Sequence, residues 1–285
     1  MTTGKLLGAA MMGALAFAPW AQAQRMDKDA AWSLRLPKEE RVVYRGATSG
    51  FTGTAGSFAG PYPAPNVLGF FAAVITHAVV ADSAQARARQ QAQETADRVL
   101  TGYRPVLETF TYKELVAKGL ARLSTPGERR VLPATEKLGG GWILDTAPVF
   151  MLTQDEQAII LDNAIAIYGP KDTETPAYQN LVRVVSRPQQ REDAMAFWTA
   201  AEGAAMKDES ATLLALSLDA ALADATAAAR AEGAPQKTFR YPEGKSERME
   251  RAELVGTHCD RLLIRSLRGW LISIPTPQAT EACKN

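Results

Sequence analysis

Histidine is almost absent: only His77 and His258 occur in the 285 residues. A histidine-based zinc centre is therefore excluded, and a serine hydrolase has few candidate bases. His77 lies in an apolar stretch and is expected to be a hydrogen-bonded core residue. Ser57 sits among glycines in Gly56-Ser57-Phe58-Ala59-Gly60, but without the G-x-S-x-G spacing that projects a nucleophile. Cysteine is as scarce, with Cys259 and Cys283 both near the C-terminus. Their wide spacing is unlike a C-x-x-C redox motif, and His258-Cys259-Asp260 on a strand alternates faces, so it cannot converge on one metal ion. No metal or cofactor is predicted.

Charge of one sign is lacking too. Lys and Arg total 32 against 31 Asp and Glu, a net charge of +1. Nothing in that balance draws the chain to nucleic acid. Neither G-x-x-x-x-G-K-[ST] nor G-x-G-x-x-G occurs, so no phosphate cradle is present. No internal repeat is found. Long apolar runs are also missing. The N-terminal run Leu6–Ala18 spans about 13 residues, whereas a membrane helix needs about 20.

What that run does resemble is an export signal. Lys5 precedes it, Pro19 breaks it, and Ala21-Gln22-Ala23 offers small residues at Ala21 and Ala23 for a signal peptidase. Residues 1–23 are expected to be removed. No cysteine follows for lipid attachment, so the mature chain, 24–285, is expected to be soluble, without a transmembrane segment, and delivered to the periplasm, with full secretion as the alternative. In that oxidising space Cys259 and Cys283 read as one disulfide, worth ~3.5 kcal/mol in the chain-entropy model.

The mature chain reads as a single α+β domain. Arg41–Arg45 is a short strand, followed by a Gly/Pro-rich loop, 46–65, that contains Phe58 and ends at Pro61, Pro63 and Pro65. Asn66 can cap a long helix over 66–100. Its first half, Val67–Ala81, is apolar nearly all round; its second carries alanines at 84, 88, 92 and 96, a stripe suited to close packing. Thr111-Tyr112-Lys113-Glu114 has the form of a capping box opening a helix with Val116, Leu120 and Leu123 inward. Three runs, Trp142–Leu152, Gln157–Tyr168 and Tyr178–Arg187, read as an antiparallel meander with Leu144, Phe150, Leu152, Ile159, Leu161 and Ile165 on the core face. A second long helix is expected over Asp208–Glu232. Strands follow at Thr238–Tyr241, Glu250–Gly256, Arg261–Ser266 and Trp270–Ile274, the last two joined by a turn at Arg268-Gly269. The architecture expected is a largely antiparallel sheet, a central three-stranded meander plus C-terminal strands, packed against two long helices.

Two surfaces can carry chemistry. With the first meander turn centred between Gln154 and Asp155, Asp145 and Asp162 become diagonal neighbours on the non-core face, about 7–8 Å apart, a spacing compatible with an inverting glycosidase. Arg261 and Arg265 alternate onto one face of a C-terminal strand and, with Arg268, form a positive stripe. The favoured expectation is a non-catalytic binding or accessory module of the cell envelope that binds through the 46–65 loop with Phe58, the apolar start of the first helix, or the arginine stripe, with another envelope protein or an anionic envelope component as partner. The alternative is a carbohydrate or cell-wall hydrolase using the carboxylate pair.

Overall fold

The computed structural model describes residues 25–48, 84–134, 136, 141–227, 234–258 and 260–276. The central strand pair follows from apolar content. β4 (Trp142–Leu152) and β5 (Ile159–Gly169) are buried along almost their whole length on both faces, which is why they read as near-continuous apolar runs. β6 (Asp172–Val185) completes the meander. All six residues expected on the core face, from Leu144 to Ile165, lie in the main apolar core.

The sheet built around this meander is not the one expected. It has ten strands in the order β3-β1-β4-β5-β6-β10-β9-β8-β7, with β2 also paired to β4. The remaining strands are β1 (Trp32–Arg35), β2 (Val43–Gly46), β3 (Arg129–Leu132), β7 (Gln236–Glu243), β8 (Ser246–His258), β9 (Arg261–Ser266) and β10 (Leu271–Pro275). Four pairings are parallel: β1 with β3, β1 with β4, β2 with β4, and β10 with β6. The sheet is thus mixed, because β1, β2 and β10 each lie beside a strand distant in sequence.

β1 and β2 share one edge of β4, against residues 142–145 and 149–152 respectively. Pro148 lies in the gap between them. The carbonyl and amide of a strand residue point to the same side, so the N–H that proline lacks would have pointed into that gap and no ladder bond is lost. The Tyr112 hydroxyl occupies it instead, donating to the Pro148 carbonyl and accepting from the Val43 amide.

The helical layer corrects the expectation of two long helices. Only one is found among the described residues. α1 (Ala84–Ala96) gives way at Asp97 to a tight 3-10 turn through Tyr103, then α2 (Arg104–Leu107). Tertiary contacts end it: the Ala96 carbonyl accepts from Gln154, and the Asp97 carboxylate accepts from the Gly46 amide. Of the alanine stripe, Ala88 and Ala92 are exposed and Ala96 is buried. The apolar half of that expected helix lies outside the described residues, as does most of the 46–65 loop. α3 (Tyr112–Leu120) is capped as its sequence announced, Thr111 accepting from the Glu114 amide. α4 (Ala194–Thr226) starts before the expected Asp208 and is interrupted, since Ala201, Glu202 and Gly203 adopt left-handed backbone angles. Its longer segment, residues 204–226, packs on α3 and crosses β5, β6 and β10. Among the described residues no helix is long and apolar enough to cross a membrane.

The two sheet faces are buried differently. The helices cover the face carrying Leu144, Leu161 and Val184. On the opposite face the C-terminal strands curl back on themselves: β7 touches β10 although β8 and β9 lie between them. Tyr241 of β7 packs with Ile160, Val185, Ile272 and Ile274 in a second core inside this curl. The tip of the β7–β8 hairpin rests on the β4–β5 turn, where the Lys245 amide donates to Asp155 at 2.5 Å.

Candidate functional site

Asp145 and Asp162 do share the face opposite the helices, but they do not form a pair. The β4–β5 register places Asp145 opposite Ala166 and Asp162 opposite Val149, so the acids stand four residues apart along the strands, about 13 Å. The shift of two from the expected register preserves the face while separating the acids. Each is neutralised by the arginine beside it on the neighbouring strand. Arg35 of β1 donates to both Asp145 oxygens at 2.7 and 2.8 Å, and Arg183 of β6 to both Asp162 oxygens at 2.7 Å. Such forked pairs fix a carboxylate as an acceptor and leave it unsuited to donate a proton or activate water.

The expected arginine stripe is not a free positive surface. Arg265 is buried on the helix side in an ion pair with Asp224 of α4 at 2.6 Å, an acid that also accepts from the Tyr178 hydroxyl. Arg261 donates to the Ser273 hydroxyl and to the carbonyls of Val185 and Ser273, and burial pulls it down to about 10. Only Arg268 is exposed, its guanidinium 5.6 Å from the centre of the Trp270 ring.

A different cluster lines the inside of the curl. Asp162 and Arg183 come from β5 and β6, Tyr241 and Glu243 from β7, Arg248 and Glu250 from β8, and Arg268 and Trp270 from the β9–β10 connection. Glu243 and Arg248 form an ion pair at 3.0 Å. Burial alone would lower the Arg183 pKa, but Asp162 outweighs it and holds the guanidinium above its ordinary value. Burial pushes the Tyr241 hydroxyl up to about 12. It also raises the Glu250 carboxyl, against the pull of Arg183 and Arg268. Glu250 forms no hydrogen bond or ion pair with any described residue. Ser266 faces Ala252 in the β8–β9 register and is 8% exposed, and its hydroxyl is buried without a partner. The backbone turn from Ser266 to Trp270, closed by the Ser266 amide on the Trp270 carbonyl, sets the indole beside it.

Sequence reasoning singled out Asp162 and Arg268 on two separate surfaces and did not bring them together, because the curl that unites β5 with β8 is a property of sheet twist and not of local pattern. The only available signal was the spacing of Arg248 and Glu250, two residues apart and so on one face of an extended segment. Phe58, Cys259, Cys283, Ala21 and Ala23 lie outside the described residues. His258 is exposed, and among the described residues no group of three histidine, cysteine or acidic side chains is placed to hold a metal ion. Comparison with protein-family models, curated proteins and solved structures finds no match.

Proposed function

We propose that the chain is an exported, non-catalytic binding module of the cell envelope, working in the periplasm through the inner face of its C-terminal curl. One observation carries the reading: the two acids best placed by sequence for hydrolysis are each held in a two-point ion pair with an arginine, about 13 Å apart. In the curl, Glu250 and Ser266 are left without hydrogen-bond partners among the described residues and form no nucleophile-and-base pair. The export part rests on the Lys5–Ala23 segment.

The test is made on the full-length chain in cells. A mature protein beginning near Gln24 in the periplasmic fraction, a crosslinked adduct from a photoreactive residue at position 268, and no turnover of cell-wall glycan are expected. An unprocessed cytosolic chain would end the export reading, and glycan cleavage that D145N abolishes would replace binding with catalysis.

A further inference from the structure

We propose that residues 187–203 form a strap under backbone strain, and that α4 has a second, straight form in which residues 194–226 run as one helix with Trp198 withdrawn from the body. Unusual backbone marks the place. Among the described residues four non-glycine positions have positive φ: Glu156, Gln190, Ala201 and Glu202. All four belong to segments that meet around Trp198. The Glu156 carbonyl accepts from the Trp198 indole at 2.7 Å. Gln190 lies between Gln189 and Arg191, whose amides both donate to Gln157 in the β4–β5 turn. Ala201 and Glu202, with Gly203, make the break in α4. Left-handed angles are unfavourable for alanine and glutamate, and they persist only where the surroundings over-determine them.

Nothing local calls for the break. Between residues 194 and 226 the chain has no proline and a single glycine, and the alanine, methionine, glutamate and lysine around the kink are good helix formers. The side chains of Ala201 and Glu202 are exposed, so neither fixes its own backbone. The angles are imposed from either side. On one side Trp198 is 1% exposed, with its indole on Glu156 and its ring edge-on to Phe197, which carries the Arg191 guanidinium 5.0 Å from its centre. On the other, Gly203 is pressed so closely on Val106 that a Cβ would collide with its methyl groups. Withdrawing Trp198 lets residues 200–203 take ordinary helical angles and form the intrahelical bonds that the break interrupts, at the cost of exposing the indole and losing its hydrogen bond. Opposed contributions of this kind give two discrete forms and not a gradual flexing. In the straight form Arg191 leaves Gln157 and the indole leaves Glu156, so the strap acts as a clasp on the β4–β5 turn.

Native-state hydrogen exchange of the mature chain tests this, read by NMR at the Trp198 indole N–H and at the amides of Leu161 and Ile165 in β5. Relative to intrinsic rates, the indole is expected to exchange at least about a hundredfold faster than these amides, which wait for global opening. A201G and E202G are each expected to slow indole exchange about fivefold to tenfold, because glycine favours the left-handed kink and disfavours the straight helix. G203A is expected to speed it about tenfold or more, with a smaller change at Leu161 and Ile165. Indole exchange no faster than that of the β5 amides, or changes of equal size at both places in the glycine variants, overturns the proposal. Glycine variants that leave the indole rate unaltered overturn it as well: a strap that loosened into coil would gain little from glycine, which coil accommodates as readily. Thermal melts establish whether G203A folds; A201G and E202G decide the matter without it.

Discussion

Arg265 and Asp224 form the most deeply buried ion pair among the described residues, their side chains 6% and 9% exposed. Removing one partner strands the other in a low-dielectric interior, so R265M is expected to cost about 3–5 kcal/mol in denaturant unfolding. The double replacement R265M/D224L should recover most of that loss, even though it forfeits the Tyr178 hydrogen bond. An equal cost in the double variant would mean that packing, and not the pair, supplies the stability. Gly46 makes a different point at the same scale. A Cβ there would collide with the Ala96 carbonyl, the oxygen that Gln154 already holds. G46A should therefore lower stability by about 1–3 kcal/mol, the range for an overpacked site. A melting temperature equal to that of the parent chain would show that β2 and the end of α1 can separate freely.

At the scale of elements, α4 carries an acid whose environment is unusual. Glu209 lies on the sheet-facing side of the helix with no hydrogen bond to a described residue, and burial raises its pKa while Arg261 of β9 opposes the rise. A carboxyl raised in the folded state binds protons more tightly there than in the unfolded chain. Its favourable contribution is complete below the ordinary carboxyl range and is lost as pH rises through the folded value. Parent and E209Q melting curves should therefore diverge as pH rises above the ordinary carboxyl range, the parent losing stability relative to E209Q. Parallel pH profiles would show that Glu209 titrates as it does in the unfolded chain. The sequence made several elements plain. β4 and β9 fall on the predicted residues, and the Thr111 cap and core-face set are as the alternation indicated. It did not disclose that the 66–100 segment breaks at Asp97, because nothing local opposes helix there and the break is made by Gly46 and Gln154 from elsewhere in the chain. Nor did it disclose the fate of the arginines. Alternation correctly put Arg261 and Arg265 on one face, but that face turned out to be the one α4 covers.

For the whole molecule, the β4–β5 turn is where distant parts meet. Gln154 donates to the carbonyls of Ala47 and Ala96, Glu156 accepts from the Tyr103 hydroxyl and the Trp198 indole, and Gln157 binds Arg191 at both ends. Asp155 fastens the hairpin tip. Burial alone would raise its pKa, but hydrogen bonds from Thr153, Lys245 and Gln157 hold it below the usual range. A depressed carboxyl stabilises the fold above its unfolded pKa and loses that contribution as pH falls through the folded value. D155N is accordingly expected to speed amide exchange in β7 and β8 by about tenfold while leaving β4 and β5 protected, and acid should act on the parent hairpin in the same direction. Uniform exchange changes over the sheet would show that the hairpin does not open on its own.

The split edge of β4 also sets a timetable. β1 cannot pair until residues 129–132 and 142–145 exist, and β2 must wait for 149–152, so the strands synthesised earliest are bound to partners roughly a hundred residues later. Contacts of such sequence separation close slowly. The order of assembly is therefore the reverse of the order of synthesis at this edge: the β4–β5–β6 meander, whose pairings are local, forms the template, and the N-terminal strands dock onto it last. Until then residues 32–46 lack the strand partners they have in the folded chain.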